Sequence, residues 1–247
     1  MSRLELKADA AERPAFWREV SSPGGAHRAL WAVFSRSPEQ SRDFLFRRDE
    51  GGPGGAGRVR FFVLSKHPPA SDDDGIWSIE TRPFAPVIKA GDRLAFSLRA
   101  SPTVKRPARE TGGEKSARGR RHDVIRDQVL RSVKGGEPID VAEAVRVAGM
   151  RWLSAKADQA GFDLPADAPA ETDDGMPFAA DVHAPLRIGG YRRHRIYRSG
   201  AKPILFSTLD FEGVLVVREP ARFVEQVASG FGPQKAFGCG LMLLRRA

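Results

Sequence analysis

Residues 230–241 read Gly-Phe-Gly-Pro-Gln-Lys-Ala-Phe-Gly-Cys-Gly-Leu, a glycine-rich run between a predicted helix over residues 220–228 and a predicted strand over residues 238–245. A dinucleotide-binding glycine motif follows a strand and opens a helix, and a Walker loop ends in Lys-Ser or Lys-Thr. This run has the opposite order, so neither nucleotide-binding fold is indicated. Repeated glycine lets a backbone approach another chain closely, and Lys235 adds positive charge. A tight structural turn is the alternative interpretation.

The two halves of the chain have predicted elements in a similar order. Alternating or apolar stretches predict a strand, a helix, two strands and a further strand in the first half, and two strands, a helix and a strand in the second. This repetition predicts an α+β protein of two tandem ferredoxin-like, RNA-recognition-type domains with antiparallel sheets. We expect an N-terminal domain over residues 1–102, closed by the alternating strand 92–100. A basic mobile linker and helix over residues 103–135 and a C-terminal domain over residues 136–247 follow.

The charge of the chain is concentrated in two segments. The 247 residues include 40 Lys and Arg against 31 Asp and Glu, a formal net charge of +9. Residues 99–134 carry 11 basic and 4 acidic residues, and residues 187–202 carry 6 basic and none acidic. Dense positive charge favours a polyanion, nucleic acid before an acidic membrane, because bound phosphates release counterions.

Other classes of protein are disfavoured. No run of about 18 apolar residues is present, so we expect no membrane-spanning helix. The single cysteine, Cys239, excludes an internal disulfide framework and a multi-cysteine zinc site, and a cytoplasmic location is expected.

The second basic segment has the pattern of a β-hairpin. Residues 191–198 read Tyr-Arg-Arg-His-Arg-Ile-Tyr-Arg and end in the turn signal Ser199-Gly200. Arginine forks can pair with phosphate, and tyrosine can stack on a base or sugar. We expect this hairpin to bind RNA.

The glycine-rich run and four other stretches together resemble the CRISPR repeat-processing endoribonucleases, in particular the CasE family of the type I-E Cascade complex. The four stretches are His-Arg-Ala-Leu-Trp at 27–31, Asp-Phe-Leu-Phe at 43–46, Leu-Arg-Ala-Ser-Pro at 98–102 and Phe-Glu-Gly at 211–213. The resemblance implies two tandem ferredoxin-like domains and a repeat RNA hairpin as ligand. It also implies metal-independent cleavage on the 3′ side of the hairpin, retention of the product, and assembly with the other Cascade subunits.

The resemblance assigns the family's catalytic histidine to His27, which we expect in the first turn of a helix. The positive end of a helix dipole disfavours imidazolium, so a neutral ring can act as base or hydrogen-bond partner. The family often has a tyrosine three residues earlier, where this chain has Gly24. Lys202 is assigned to stabilise the developing charge, and a lysine that merely holds RNA is the alternative.

These expectations combine into one reaction, with no cofactor and no metal. A ribose 2′-OH attacks its neighbouring phosphate and leaves a 2′,3′-cyclic phosphate and a 5′-OH. The residues expected to bind RNA are basic side chains of the two segments, the start of the first helix and the glycine-rich run: Arg28, Arg99, Lys105, Arg106, Arg118, Arg120, Arg121, Arg192, Arg193, Arg195, Arg198 and Lys235. The alternatives are a non-catalytic RNA-hairpin-binding subunit of the same fold and a nonspecific DNA-binding protein.

Overall fold

A computed structural model describes most of the chain. The described residues are 1–7, 20, 23–34, 43–49, 59–69, 75–106, 120–136, 138, 140–165, 186–198 and 200–247, without the side chains of Pro23, Arg120 and Arg198. In chain order the elements are β1 (Ser2–Leu6), α1 (Pro23–Phe34), β2 (Phe44–Asp49), β3 (Arg60–Ser65), β4 (Trp77–Thr81), β5 (Arg93–Ala100), β6 (Thr103–Arg106), β7 (Arg120–Asp123), α2 (Val124–Gly135), α3 (Val141–Ala160), β8 (Phe162–Asp163), β9 (Arg187–Arg198), β10 (Ala201–Val217), α4 (Pro220–Ser229), a 3-10 turn (Lys235–Phe237) and β11 (Met242–Arg246).

The first sheet is antiparallel and has the order β2-β3-β1-β4. One of its faces is covered by α1, because the apolar residues of the helix recur at helical spacing and those of the strands alternate. Leu30 and Phe34 of α1 are buried together with Leu4, Phe46 and Phe61 of the strands. This order, with the first and third strands in the centre of the sheet, is that of a ferredoxin-like unit.

The second sheet repeats this arrangement with the order β11-β5-β10, to which β9 and β8 add on the far side of β10. Its helix-covered face holds Trp152 of α3 stacked on Phe211 of β10, with ring centroids 5.5 Å apart. The strands β5, β9, β10 and β11, with α3 and α4 between them, form a second β-α-β-β-α-β unit. The predicted α+β class with two ferredoxin-like units is confirmed.

The two units contact each other through β2 and the glycine-rich run. Leu45 of β2 is buried with Leu64 and Leu241. A β-carbon at Gly238 would lie 3.2 Å from the ring of Phe46, and one at Gly230 would lie 2.8 Å from the side chain of Leu45. Larger residues at these two glycines would therefore push the units apart.

The strand predicted over residues 92–100 exists, but the expectation that it closes the N-terminal half is wrong. It is β5, and it pairs with β10 and β11 as the first strand of the second unit. The change of sheet falls between Thr81 and Arg93, earlier than the boundary predicted after residue 102. Alternation along a strand shows that it is half-buried, but it does not show which sheet receives it.

The segment predicted as a linker over residues 103–135 packs on the second unit where it is described. Ile125 of α2 is buried in that unit's core. Asp123 caps α2 by accepting hydrogen bonds from the amides of Ile125 and Arg126, and it also accepts one from Tyr191 of β9 at 3.1 Å. Residues 107–119, the centre of the predicted mobile stretch, lie outside the described residues.

Candidate nucleic-acid interface

The candidate catalytic histidine lies on α1 against aromatic rings. His27 is half-buried, with its ring centroid 5.7 Å from that of Trp31 one turn later and 5.7 Å from that of Phe44 on β2. Its Nε2 atom is buried. A proton transfer to bound RNA through Nε2 therefore requires the imidazole to turn.

The helix begins earlier than predicted, at Pro23. Proline fits the first helical position because its fixed φ is helical. An N–H at this position has no acceptor within the helix, so its absence in proline costs no hydrogen bond. The Pro-Gly-Gly stretch thus forms the first turn, and His27, the fifth residue of α1, begins the second turn. The prediction that His27 lies in the first turn is wrong, and the effect of the helix dipole on its ring is weaker there.

The first turn of α1 faces the strand β9 of the second unit. A β-carbon at Gly24 would lie 4.0 Å from Cγ2 of Ile196 and 3.9 Å from Nη1 of Arg28, which is ordinary van der Waals distance. The position at which the family often has a tyrosine therefore borders both the predicted basic hairpin and an exposed arginine. The helix that carries His27 and the hairpin meet at this point.

The predicted hairpin is formed by β9 and β10. Ile204, Phe206 and Thr208 of β10 pair with Ile196, His194 and Arg192 of β9, respectively. Because side chains alternate across a strand, these six lie on the face that meets α1 at Ile196.

The opposite face of the hairpin carries odd-numbered residues of β9. Its outer part is exposed and includes Arg193, Arg195 and Tyr197. The guanidinium of Arg195 lies 5.1 Å from the ring centroid of Tyr197, a cation–π distance. Tyr191, at the end of β9 farther from the hairpin tip, donates a hydrogen bond to Asp123. Burial is the main cause that raises the pKa of Tyr191 to about 12. Tyr197 is thus the hairpin tyrosine that is open to a base or sugar.

Lys202 lies exposed near the tip of the hairpin. Ala201 pairs with Arg198, Ile204 pairs with Ile196, and the register shifts between these two pairs. Lys202 therefore lies two residues from Ile204, whose partner Ile196 meets α1 at Gly24.

Two arginines predicted to bind RNA are held in ion pairs within the protein. Arg99 donates two hydrogen bonds to Asp210 at 2.7 and 2.9 Å, and Arg106 donates two to Asp127 at 2.9 and 2.5 Å. The pair with Arg106 lowers the pKa of Asp127. These carboxylates occupy two of the five N–H donors of each guanidinium, and RNA binding by Arg99 and Arg106 stays a prediction.

The ribbon of β6 and β7 places like charges opposite each other. Lys105 pairs with Arg121, and both side chains are exposed. Like charges directly across a ladder repel, so a bound polyanion would stabilise this ribbon. Arg118, and the side chains of Arg120 and Arg198, lie outside the described residues.

The glycine-rich run is a packed turn within the protein. The 3-10 turn contacts both α1 and β2. Lys235 in this turn donates to the carbonyl oxygen of Ser229 at the end of α4. Its neighbour Gln234 has φ 63°, a left-handed conformation rare for a residue with a side chain. The close packing of Gly230 and Gly238 supports the alternative of a structural turn, and an RNA contact by Lys235 stays a prediction.

Two charged groups between the sheets, Asp210 and Arg47, were not predicted from the sequence. Asp210 holds Arg99, and the side chain of Arg47 on β2 is largely buried near both, which lowers the pKa of its guanidinium through burial. The Asp210 carboxylate also fills the space over Gly190, where a β-carbon would meet it at 2.7 Å. To find these two groups, one would need to know that Gly190 has a positive φ and how the strands pair. Neither can be read from composition.

Among the described residues, no group of three or more His, Cys, Asp or Glu is placed to hold a metal ion. Cys239 is fully buried, and burial raises the pKa of its thiol to about 12, so it is a small packed residue rather than a reactive thiol. No helix in the described part of the chain is long and apolar enough to span a membrane.

A family profile described as "CRISPR associated protein" matches residues 1–246. The chain belongs to this CRISPR-associated family. Within it, the chain is 27% identical over 233 residues to the CRISPR-associated endoribonuclease Cse3 of Thermus thermophilus, covering 91% of this chain and 90% of that protein. It is 25% identical over 226 residues to the Cascade subunit CasE of Escherichia coli, with 88% and 89% covered.

A solved structure of this CRISPR-associated family shares the fold. Thermus thermophilus Cse3 bound to an RNA representing a pre-cleavage complex has a TM-score of 0.65 and 24% identity, with 99% of this chain and 97% of that chain covered. The resemblance inferred from the five sequence stretches is confirmed.

Proposed function

We propose that this CRISPR-associated protein is a metal-independent endoribonuclease that cuts CRISPR precursor RNA within its repeats. It recognises the repeat RNA hairpin, cuts on its 3′ side, and remains on the product as a Cascade subunit beside the other subunits. The relatives named as an endoribonuclease and as a Cascade subunit support this proposal. The single, buried cysteine fits the reducing cytoplasm in which we place the protein.

The observation that carries the proposal is the approach of Gly24 on α1 to Ile196 on β9. It brings the helix of His27 next to the hairpin face that carries the exposed Arg192, whose guanidinium suits a phosphate. An RNA hairpin gripped by β9 and β10 would therefore have one edge beside α1.

The proposed chemistry uses the nucleophile that RNA carries. The 2′-oxygen forms a bond to phosphorus while the bond from phosphorus to the 5′-oxygen breaks, which leaves a 2′,3′-cyclic phosphate. A base takes the proton of the 2′-OH, and an acid gives a proton to the departing 5′-oxygen. The protein must align the attacking and leaving oxygens, move these protons and stabilise the negative charge of the phosphorane.

His27 acts as general base or general acid in this proposal. Lys202, with Arg28 beside Gly24, supplies positive charge to the phosphorane. Arg192, Arg193 and Arg195 hold the RNA backbone. Gly24 contributes no hydroxyl group, so this chain carries out the reaction without the tyrosine that the family often has there.

A second candidate function is a non-catalytic RNA-hairpin-binding subunit. The burial of His27 Nε2 and the absent hydroxyl group at Gly24 favour it. Both functions use the same hairpin surface, so cleavage itself must separate them.

The experiment incubates the protein with a repeat hairpin RNA from its own CRISPR array in excess EDTA. We expect one cut, with a 2′,3′-cyclic phosphate on one product and on the other a 5′-OH that polynucleotide kinase can label. Tight binding without a cut would establish the second function, and activity that returns only with Mg²⁺ would overturn the mechanism. Duplex DNA that competes as well as the RNA hairpin would indicate a nonspecific DNA-binding protein.

A further inference from the structure

Three rings from separate parts of the second unit form one continuous stack. The ring of His194 on β9 lies 4.7 Å from that of Phe206 on β10, with the planes 17° apart. Phe206 in turn lies 5.0 Å from Phe237 of the 3-10 turn, with the planes 16° apart. Nearly parallel rings at this spacing are in close contact over their faces. The stack thus runs from the hairpin to the glycine-rich run.

The ring of His194, at the hairpin end of the stack, is held by a hydrogen bond. Nε2 of His194 lies 2.9 Å from Oγ1 of Thr208, so the two are hydrogen-bonded. Burial, with Arg99 and Arg192 nearby, lowers the pKa of His194 and favours the neutral ring. All three rings are half-buried and lie on the sheet face away from Leu209 and Phe211, which belong to the core.

The ring of Phe237, at the other end of the stack, connects it to the helix of His27. Phe237 belongs to the 3-10 turn that contacts α1 and β2, and the next residue, Gly238, packs against Phe46. α1 also approaches the hairpin directly, at van der Waals distance, where Gly24 faces Ile196. The stack therefore spans from the cationic hairpin to the unit that carries His27.

The hairpin needs a stabilising contact of this kind because the pairing of β9 with β10 is interrupted. The register of β9 and β10 shifts between Ala201 and Ile204 and again between Thr208 and Asp210. Bulges of this kind bend a ribbon and change its twist. Phe206 lies in the short regular stretch between the two shifts, where a stacking contact can fix the direction of the hairpin tip.

We infer that Phe206, clamped between His194 and Phe237, is a positioning residue that holds the RNA-binding hairpin in register with the helix of His27. This inference rests on the proposed function only for its effect on cleavage. Catalytic groups on different units must be aligned closely, since a misplacement of about 1 Å can reduce a rate by about 10²-fold. Loss of the stack therefore slows cleavage while leaving the hairpin's arginines able to bind RNA.

The first arm of the test measures hairpin position without RNA. In the full-length chain, Ala32→Cys on α1 and Ala201→Cys on the hairpin carry spin labels, since both positions are exposed and the native Cys239 is fully buried. We expect one narrow distance distribution. Phe206→Ala and Phe237→Ala should each broaden or shift it, Phe206→Tyr should preserve it, and Leu205→Ala, on the opposite face, should preserve it as a matched control. An unchanged distribution in both alanine variants would overturn the inference.

The second arm measures single-turnover cleavage and the RNA dissociation constant of the same variants without labels. We expect Phe206→Ala to cut roughly 10-fold or more slowly with a dissociation constant changed by less than about 3-fold, and Phe206→Tyr to restore the rate. A loss confined to affinity would overturn the positioning role. If even the unmodified protein cuts no RNA, the proposed function fails, while the distance measurement still decides the inference.

Discussion

Gly24 on α1 and Ile196 on β9 approach so closely that a β-carbon at Gly24 would lie 4.0 Å from Ile196 Cγ2. This approach joins the helix of His27 to the basic hairpin, and the two lie 172 positions apart in the sequence.

Gly24→Ala should stabilise the protein slightly. The added methyl group meets only ordinary contacts, and alanine costs less conformational entropy in a helix than glycine does, so the free energy of unfolding should rise by about 0.5 kcal/mol. Urea denaturation measures this change. A fall of more than about 1 kcal/mol would mean that α1 and β9 are packed more tightly than the structure has them.

Arg192→Ala and Arg193→Ala should weaken RNA binding without changing the chemistry. Each lost phosphate contact should reduce the slope of log affinity against log salt by about one. The measurement is the dissociation constant at several salt concentrations. Arg246→Ala, an exposed arginine at the end of β11, serves as the control and should leave the slope unchanged; equal slopes for all three variants would remove the hairpin arginines from the RNA interface.

The free energy of unfolding should decrease as the pH is lowered, partly because His194 becomes protonated more readily in the unfolded chain. The pKa of His194 is lower in the folded protein than its ordinary value of 6.5, because burial and the neighbouring Arg99 and Arg192 disfavour its charged form. The unfolded chain then binds more protons, so this contribution is present above pH 6.5 and is lost as the pH falls through the folded pKa. His194→Phe keeps a ring and should reduce the loss of stability between about pH 7.5 and 5. Denaturation midpoints that fall equally in both proteins would contradict this.

The sequence predicted local structure well and long-range pairing poorly. The alternation in residues 93–100 correctly indicated a strand, but its partners β10 and β11 lie more than 100 residues further along the chain. Pairing at that distance depends on the assembled core, so a half-buried strand fits either sheet equally well at the level of sequence.

The candidate site shows the same division between local and distant information. Counting charges located the cationic hairpin, but it treated Arg99 and Arg106 as available to RNA. Their partners Asp210 and Asp127 became visible only in the folded chain. The stack of Phe206 was not readable in the sequence. A turn at Ser199-Gly200 alone would pair Phe206 with Arg193, and the register shift between Ala201 and Ile204 moves it opposite His194, whereas Phe237 is brought in by the fold.

Replacing the 2′-OH at the scissile position by hydrogen should abolish cleavage and leave binding nearly unchanged. The hydroxyl group is the attacking group, whereas affinity comes mainly from phosphate contacts. A repeat RNA with one deoxynucleotide at the cut, assayed by gel and by filter binding, makes the comparison. Cleavage of this RNA at the normal rate would mean that water is the nucleophile.

His27 performs proton transfer in the proposed cleavage reaction, and the single-turnover rate of His27→Ala at saturating protein tests this role. His67→Ala, a change at an exposed histidine, is the matched control. We expect a rate lower by roughly 10²–10⁴-fold with a nearly unchanged dissociation constant, and a normal rate for the control. A His27→Ala protein that cuts at the normal rate would show that His27 does not transfer a proton in the reaction.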